Sequence, residues 1–177
     1  MNNAPKRLSN LLTGAGLTIA TAESCTGGML GSLVTSVGGS SAYFLGGIIA
    51  YSNGVKLREL GVKQSALRRC GAVSSTVAGQ MAAGVRKRFG ADIGVGITGI
   101  AGPAGGVPGK PVGTVFIGVA CLEAHLVRRF LFRGGRQAVR KAACAAALDM
   151  LVELLMRLES AAKSRRCRPA RRRPRWP

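Results

Sequence analysis

Ser24 stands in the run Thr21-Ala22-Glu23-Ser24-Cys25-Thr26-Gly27-Gly28, between an apolar stretch and a helix-like one. A hydroxyl in that place suits attack on a carbonyl. The backbone N–H groups of Thr26, Gly27 and Gly28 can hold an anion, either a phosphate or the oxyanion of a tetrahedral intermediate. The two glycines let the backbone approach closely. A serine nucleophile needs a base. The one histidine, His125, lies in a strand pattern with no triad partner nearby in sequence. A lysine serves instead when burial or neighbouring positive charge lowers its pKa. Lys56 follows Tyr51-Ser52-Asn53-Gly54-Val55 and falls in the first turn of an expected helix, where the positive dipole end disfavours an ammonium. Tyr51 can relay or orient the proton through its hydroxyl. On these residues alone two plainer readings stay open: a turn that merely caps a helix at Ser24, and a solvated surface lysine at Lys56.

The elements that must position these groups follow from periodicity and turn residues. A helix is expected over residues 5–14, a strand over 17–22, and a helix capped by Thr26 running to about residue 37. The continuous apolar run 43–51 reads as a buried strand, followed by a short helix over 55–60. Ser74 or Ser75 caps a longer helix to Phe89, with Val77, Met81, Val85 and Phe89 on its apolar side. Residues 92–97 form a third strand, 99–112 a loop dense in Gly and Pro, and 113–122 with 125–132 a hairpin. A last helix covers 136–159, with Val139, Ala143, Ala146, Met150, Leu154 and Leu158 on one stripe. Strands alternating with helices predict a three-layer α/β/α sandwich with a mixed, mostly parallel sheet of about five strands. Three polar segments, residues 23–28, 51–56 and 98–103, each follow a strand. Parallel neighbouring strands would bring them to one rim, where ligand sites of open α/β sheets collect.

Composition narrows the class. The chain has 177 residues and a net charge of +19, long enough for one domain with a packed core. Eight of the 26 Lys and Arg fall in residues 163–177, which carry no acid and three prolines. The chain therefore reads as a domain over 1–162 and a disordered basic tail over 163–177. The tail can touch nucleic acid through counterion release, and the positive body suits an anionic small substrate. No apolar run reaches the roughly 18 residues of a membrane span, and the start lacks a signal-peptide pattern, so a cytoplasmic protein is expected. Five scattered cysteines without a Cys-x-x-Cys pair, and one histidine, give no metal-ligand spacing.

Several motifs fail on context. Gly94-Val95-Gly96-Ile97-Thr98-Gly99 fits a dinucleotide fingerprint, but Ile100-Ala101-Gly102-Pro103 follows where a helix must begin. Residues 104–110 lack the first Gly and the final Ser or Thr of a phosphate loop. Ser160-Ala161-Ala162-Lys163 matches a Ser-x-x-Lys pattern at the edge of the basic tail.

The segments together resemble the CinA C-terminal domain family, over about residues 11–155. The resemblance rests on Thr21 to Gly28 as quoted; Tyr51-Ser52-Asn53 with Lys56; Gly71-Ala72-Val73-Ser74; Thr98-Gly99-Ile100-Ala101-Gly102-Pro103; Gly105-Gly106 with Lys110-Pro111-Val112-Gly113-Thr114-Val115; and Phe132-x-Gly134 with Arg136 and Arg140. It implies deamidation of nicotinamide mononucleotide to nicotinate mononucleotide and ammonia, without cofactor or metal, by a homodimer. By position it makes Ser24 the nucleophile and Lys56 the general base, with Tyr51 beside them. Thr26, Gly27, Gly28, Asn53, Thr98, Gly99 and Gly102 then line the substrate. Lys110, Arg136 and Arg140 are candidates for its phosphate, the two arginines one helical turn apart. Ser75 stands where similar proteins usually carry an acid, and the chain resembles a stand-alone form without the family's N-terminal domain. The rival classes are a non-catalytic nucleotide- or nucleic-acid-binding protein and an amidase of a different substrate.

Overall fold

The computed structural model describes residues 3–122 and 124–166. Its elements run α1 (Ala4–Ala15), β1 (Ile19–Glu23), α2 (Met29–Thr35), β2 (Phe44–Ile49), α3 (Asn53–Leu60), α4 (Gln64–Cys70), α5 (Ser75–Phe89), β3 (Ile93–Gly99), β4 (Thr114–Ala120), β5 (His125–Leu131) and α6 (Arg136–Arg166). One five-stranded sheet has the order β2-β1-β3-β4-β5. β1 pairs parallel with both β2 and β3, whereas β3 with β4 and β4 with β5 pair antiparallel. Four of the five strands thus point the same way, as expected of a mixed, mostly parallel sheet. α1, α2 and α6 pack together over one face, and α3, α4 and α5 over the other. No helix among the described residues is long and apolar enough to cross a membrane.

The central strands are buried on both faces and accordingly read as apolar runs. α5 lies so close to them that glycine is required beneath it. A Cβ on Gly94 would sit 2.1 Å from the Ala82 carbonyl oxygen, and one on Gly96 would sit 2.5 Å from that of Ala78. The Gly-x-Gly pattern of β3 is therefore a helix-on-sheet contact. On the other face, α6 buries Val139, Ala143, Ala147, Leu151 and Leu155, with Cys144, Leu148 and Met150 beside them. Ala146, Leu154 and Leu158 are the half-buried margin of that stripe.

The structure corrects four expectations. The run 43–51 is not a buried strand: β2 is a sheet edge with a neighbour on one side only, burial alternates along it, and Ile49 is 56% exposed. Apolar content alone does not separate a central strand from an edge. α4 is an additional helix, because its seven residues are too short to show a period. Thr26 does not cap α2, which begins at Met29 with Gly28 at its N-cap in the left-handed conformation. Finally, α6 runs past residue 162 to Arg166; the remainder of the basic segment, residues 167–177, lies outside the described residues.

Candidate active site

β1 ends at Glu23, and Ser24 begins the turn into α2. The Ser24 N–H still follows the sheet, donating to the Ile97 carbonyl at 3.0 Å, and its own carbonyl accepts from Gly27 N–H at 3.2 Å. β1 lies between β2 and β3, parallel to both, so the segments after all three strands share one rim.

α3 begins on this rim. Ser52 is its N-cap, its hydroxyl accepting from the Val55 N–H at 3.3 Å. One turn of helix then carries Lys56 inward. Its side chain is 1% exposed, and its Nζ donates to Ser24 Oγ at 3.2 Å and to the Tyr51 main-chain carbonyl at 3.2 Å. No carboxylate among the described residues lies within ion-pairing distance of it. Burial pushes the Lys56 pKa below its ordinary 10.5, opposed in part by attraction to the Cys25 thiol. Burial thus disfavours the charged form of a lysine whose nitrogen already contacts a serine hydroxyl.

The Tyr51 side chain lies elsewhere. It is 61% exposed, and its hydroxyl accepts from Arg136 Nη2 at 2.9 Å. The expected proton relay through that hydroxyl is corrected: Lys56 meets the Tyr51 backbone, because the helical turn returns Nζ to the carbonyl at the end of the β2 segment. Arg136, the first residue of α6, also donates from Nη1 to the Gly102 carbonyl at 2.8 Å. It thereby spans the segments after β2 and β3. One turn on, Arg140 Nη2 donates to the Thr26 carbonyl at 2.7 Å, so the two arginines do reach the same rim. All three rim acceptors are uncharged oxygens, and neither guanidinium has an acidic partner among the described residues.

Glu23 was quoted in the motif without a role. Its side chain is 2% exposed, and its carboxylate receives the N–H groups of Gly28 at 3.0 Å, Leu30 at 3.0 Å and Gly31 at 2.8 Å. The start of α2 is therefore filled by an internal anion. Gly27 and Gly28 do not offer free N–H groups, as one bonds Ser24 O and the other Glu23. The Cys25 and Thr26 N–H groups have no hydrogen-bond partner among the described residues, and the Thr26 hydroxyl is buried without one. A strand-end acid in an apolar run was the signal available, because a buried carboxylate must find donors.

The other expected site residues make the following contacts. The Thr98 hydroxyl donates to the Ala72 carbonyl at 2.9 Å. Gly99 lies where a Cβ would meet Val115 Cγ2 at 2.7 Å. Lys110 Nζ donates to the Cys70 carbonyl at 2.7 Å, pinning the 100–113 loop to α4. Asn53, the first residue of α3, is exposed at the rim. Cys25, beside Ser24, is buried and its thiol is pushed up to about 11, mainly by that burial. Among the described residues no group of three His, Cys, Asp or Glu is placed to hold a metal ion.

The sequence profile described as CinA C-terminal domain matches residues 1–155. A CinA-like protein of Gemmatimonas aurantiaca is 55% identical over 135 residues, which cover 76% of this chain and 32% of that protein. A CinA-like protein of Citrifermentans bemidjiense is 49% identical over 150 residues, covering 85% and 36%. The chain therefore spans about a third of the length of these relatives. A solved structure, the competence-damaged protein (CinA) superfamily protein from Enterobacter cloacae, superposes with a TM-score of 0.83 at 36% identity, over 86% of this chain and 90% of that one. With the family profile matching most of the chain and the fold matching the solved structure, the chain belongs to the CinA C-terminal domain family.

Proposed function

We propose that the chain is an amidohydrolase that converts nicotinamide mononucleotide to nicotinate mononucleotide and ammonia. The observation that carries this reading is the buried Lys56 Nζ, 3.2 Å from Ser24 Oγ, with its pKa lowered by burial. A lysine whose charged form is disfavoured by burial, in contact with a hydroxyl, suits base catalysis.

Neutral Lys56 takes the Ser24 proton as Oγ bonds to the carboxamide carbon, giving a tetrahedral oxyanion and an ammonium. The carbon–nitrogen bond breaks as the ammonium returns the proton to the leaving nitrogen, releasing ammonia and an acyl-serine. Water then attacks while Lys56 takes one of its protons and returns it to Ser24, and the released acid leaves as carboxylate, its remaining proton passing to solvent. The Cys25 and Thr26 N–H groups are the spare donors on the turn for the oxyanion. Arg136 and Arg140 supply positive charge for a substrate phosphate.

The test is ammonia release from nicotinamide mononucleotide by the purified chain. Wild type is expected to turn over, and Ser24→Ala and Lys56→Ala to lose at least about a thousandfold in kcat. Turnover that persists in either variant removes that residue from its role.

A further inference from the structure

We infer that Glu23 is a positioning residue for Ser24, acting through the start of α2; the inference rests on the reading of Ser24 as nucleophile. Glu23 and Ser24 are adjacent in the chain but serve opposite ends of one turn. The Glu23 carboxylate reaches forward over that turn and receives three N–H groups, from Gly28, Leu30 and Gly31. The chain from 23 to 31 is thereby closed on itself, with Ser24, Cys25, Thr26 and Gly27 in the closed segment. Outside it, the Ser24 N–H is fixed to Ile97. The nucleophile is thus held from both sides: by the sheet at its own N–H, and by the carboxylate clamp at the far end of its turn. A Cβ on Gly31 would lie 3.6 Å from Glu23 Oε1, so the helix start and the carboxylate are already in contact.

The clamp needs two accepting oxygens. Oε2 takes two of the N–H groups and Oε1 the third. Glutamine has the same shape but one acceptor, and its NH₂ would face an N–H. Glu23→Gln therefore keeps the packing while loosening one side of the turn. Glu23→Asp keeps both acceptors but loses one methylene of reach. Because the carboxylate exchanges no proton in the reaction, either variant should lower kcat and leave KM and the pH midpoint set by Lys56 in place.

The experiment measures three quantities in the full chain. The first is the rate at which a fluorophosphonate labels Ser24, in which Oγ bonds to phosphorus, fluoride leaves and Lys56 takes the proton. The second is kcat and KM for ammonia release across pH, and the third is the thermal unfolding midpoint. Folded Glu23→Gln is expected to label and turn over about 10- to 100-fold more slowly, the range that a misplacement near 1 Å produces, with KM within about threefold. Labelling and kcat at the wild-type rate overturn the inference, as does a rise in KM alone or a shifted pH midpoint. If Glu23→Gln does not fold, Glu23→Asp is judged by the same outcomes. The two readings fail differently. Wild type that is not labelled at Ser24 overturns the nucleophile and the positioning role with it. Wild type that is labelled, alongside a Glu23 variant labelled equally fast, overturns the positioning role alone.

Discussion

Gly84→Ala tests whether the catalytic pair is held in place by helix packing at a distance. Gly84 lies in α5, where the carboxyl end of α3 presses on it. A Cβ there would be 2.0 Å from the Leu60 carbonyl oxygen, 2.8 Å from its carbon and 3.0 Å from its Cα. All three are backbone atoms, so no side chain can swing aside. Real Cβ atoms keep beyond 3.0 Å of such neighbours, and α3 must retreat by 3.0 − 2.0 = 1.0 Å or more. Lys56 sits one turn before Leu60 on the same helix. Helices move as rigid units over that distance, so the retreat carries Nζ with it. The 3.2 Å contact with Ser24 Oγ opens toward 3.2 + 1.0 = 4.2 Å, outside hydrogen-bond range. A loss on the order of 100-fold in kcat follows. Overpacking costs about 1–3 kcal/mol, offset by about 1 kcal/mol from replacing a helical glycine with alanine. A net destabilisation of up to about 2 kcal/mol in urea unfolding is expected. Gly79→Ala in the same helix is the control, since its Cβ would meet only the Val127 Cγ2 methyl at 3.3 Å. It should keep wild-type turnover and stability within about 1 kcal/mol. A Gly84→Ala protein as stable as wild type, with kcat within about threefold, would refute the rigid coupling of α5 to Lys56.

Two further outcomes follow from the site. Because burial lowers the Lys56 pKa, kcat/KM should rise with pH through a midpoint below 10.5, and a pH–rate profile reads it. The sign for stability is the same: between the lowered value and 10.5 the unfolded chain binds more protons than the folded one, so urea-unfolding stability falls as pH falls through that window. Tyr51→Phe removes only the hydroxyl that Arg136 holds and keeps the carbonyl that orients Lys56. Its kcat should stay within about fivefold of wild type, against the ~100-fold loss expected of a residue that passes the proton; steady-state kinetics decide between the two.

The backbone plan of the site was readable in advance, because its signals are local. Apolar runs ending in Glu23-Ser24, Tyr51-Ser52 and Thr98-Gly99 mark strand ends, and parallel pairing of β1 with β2 and β3 brings them to one rim. Lys56 four residues after its cap follows from helical geometry alone. What escaped reading was the choice among long-range partners. The Tyr51 hydroxyl goes to a residue 85 positions away, and no spacing within residues 51–56 foretells that. The sequence context already rules out a ligand fingerprint at Gly94 and Gly96, but that the pair makes room for α5 shows only once that helix is packed across it. The edge position of β2 depends on where the other strands go, which its own apolar run does not encode.

Glu23 joins these two kinds of information. Its place at the end of an apolar strand is visible in the chain, yet its meaning depends on burial. An exposed acid there would be ordinary, whereas one that is 2% exposed must be supplied with donors or be neutralised. The donors come from the next helix start, so the same carboxylate that solves its own burial also occupies the anion-holding position first read at Gly27 and Gly28. The positive groups left for a substrate are then side chains, Arg136 and Arg140, each carried on α6 and each bonded to a carbonyl of the rim it serves. In this fold the turn holds Ser24, and a separate helix brings the two arginines.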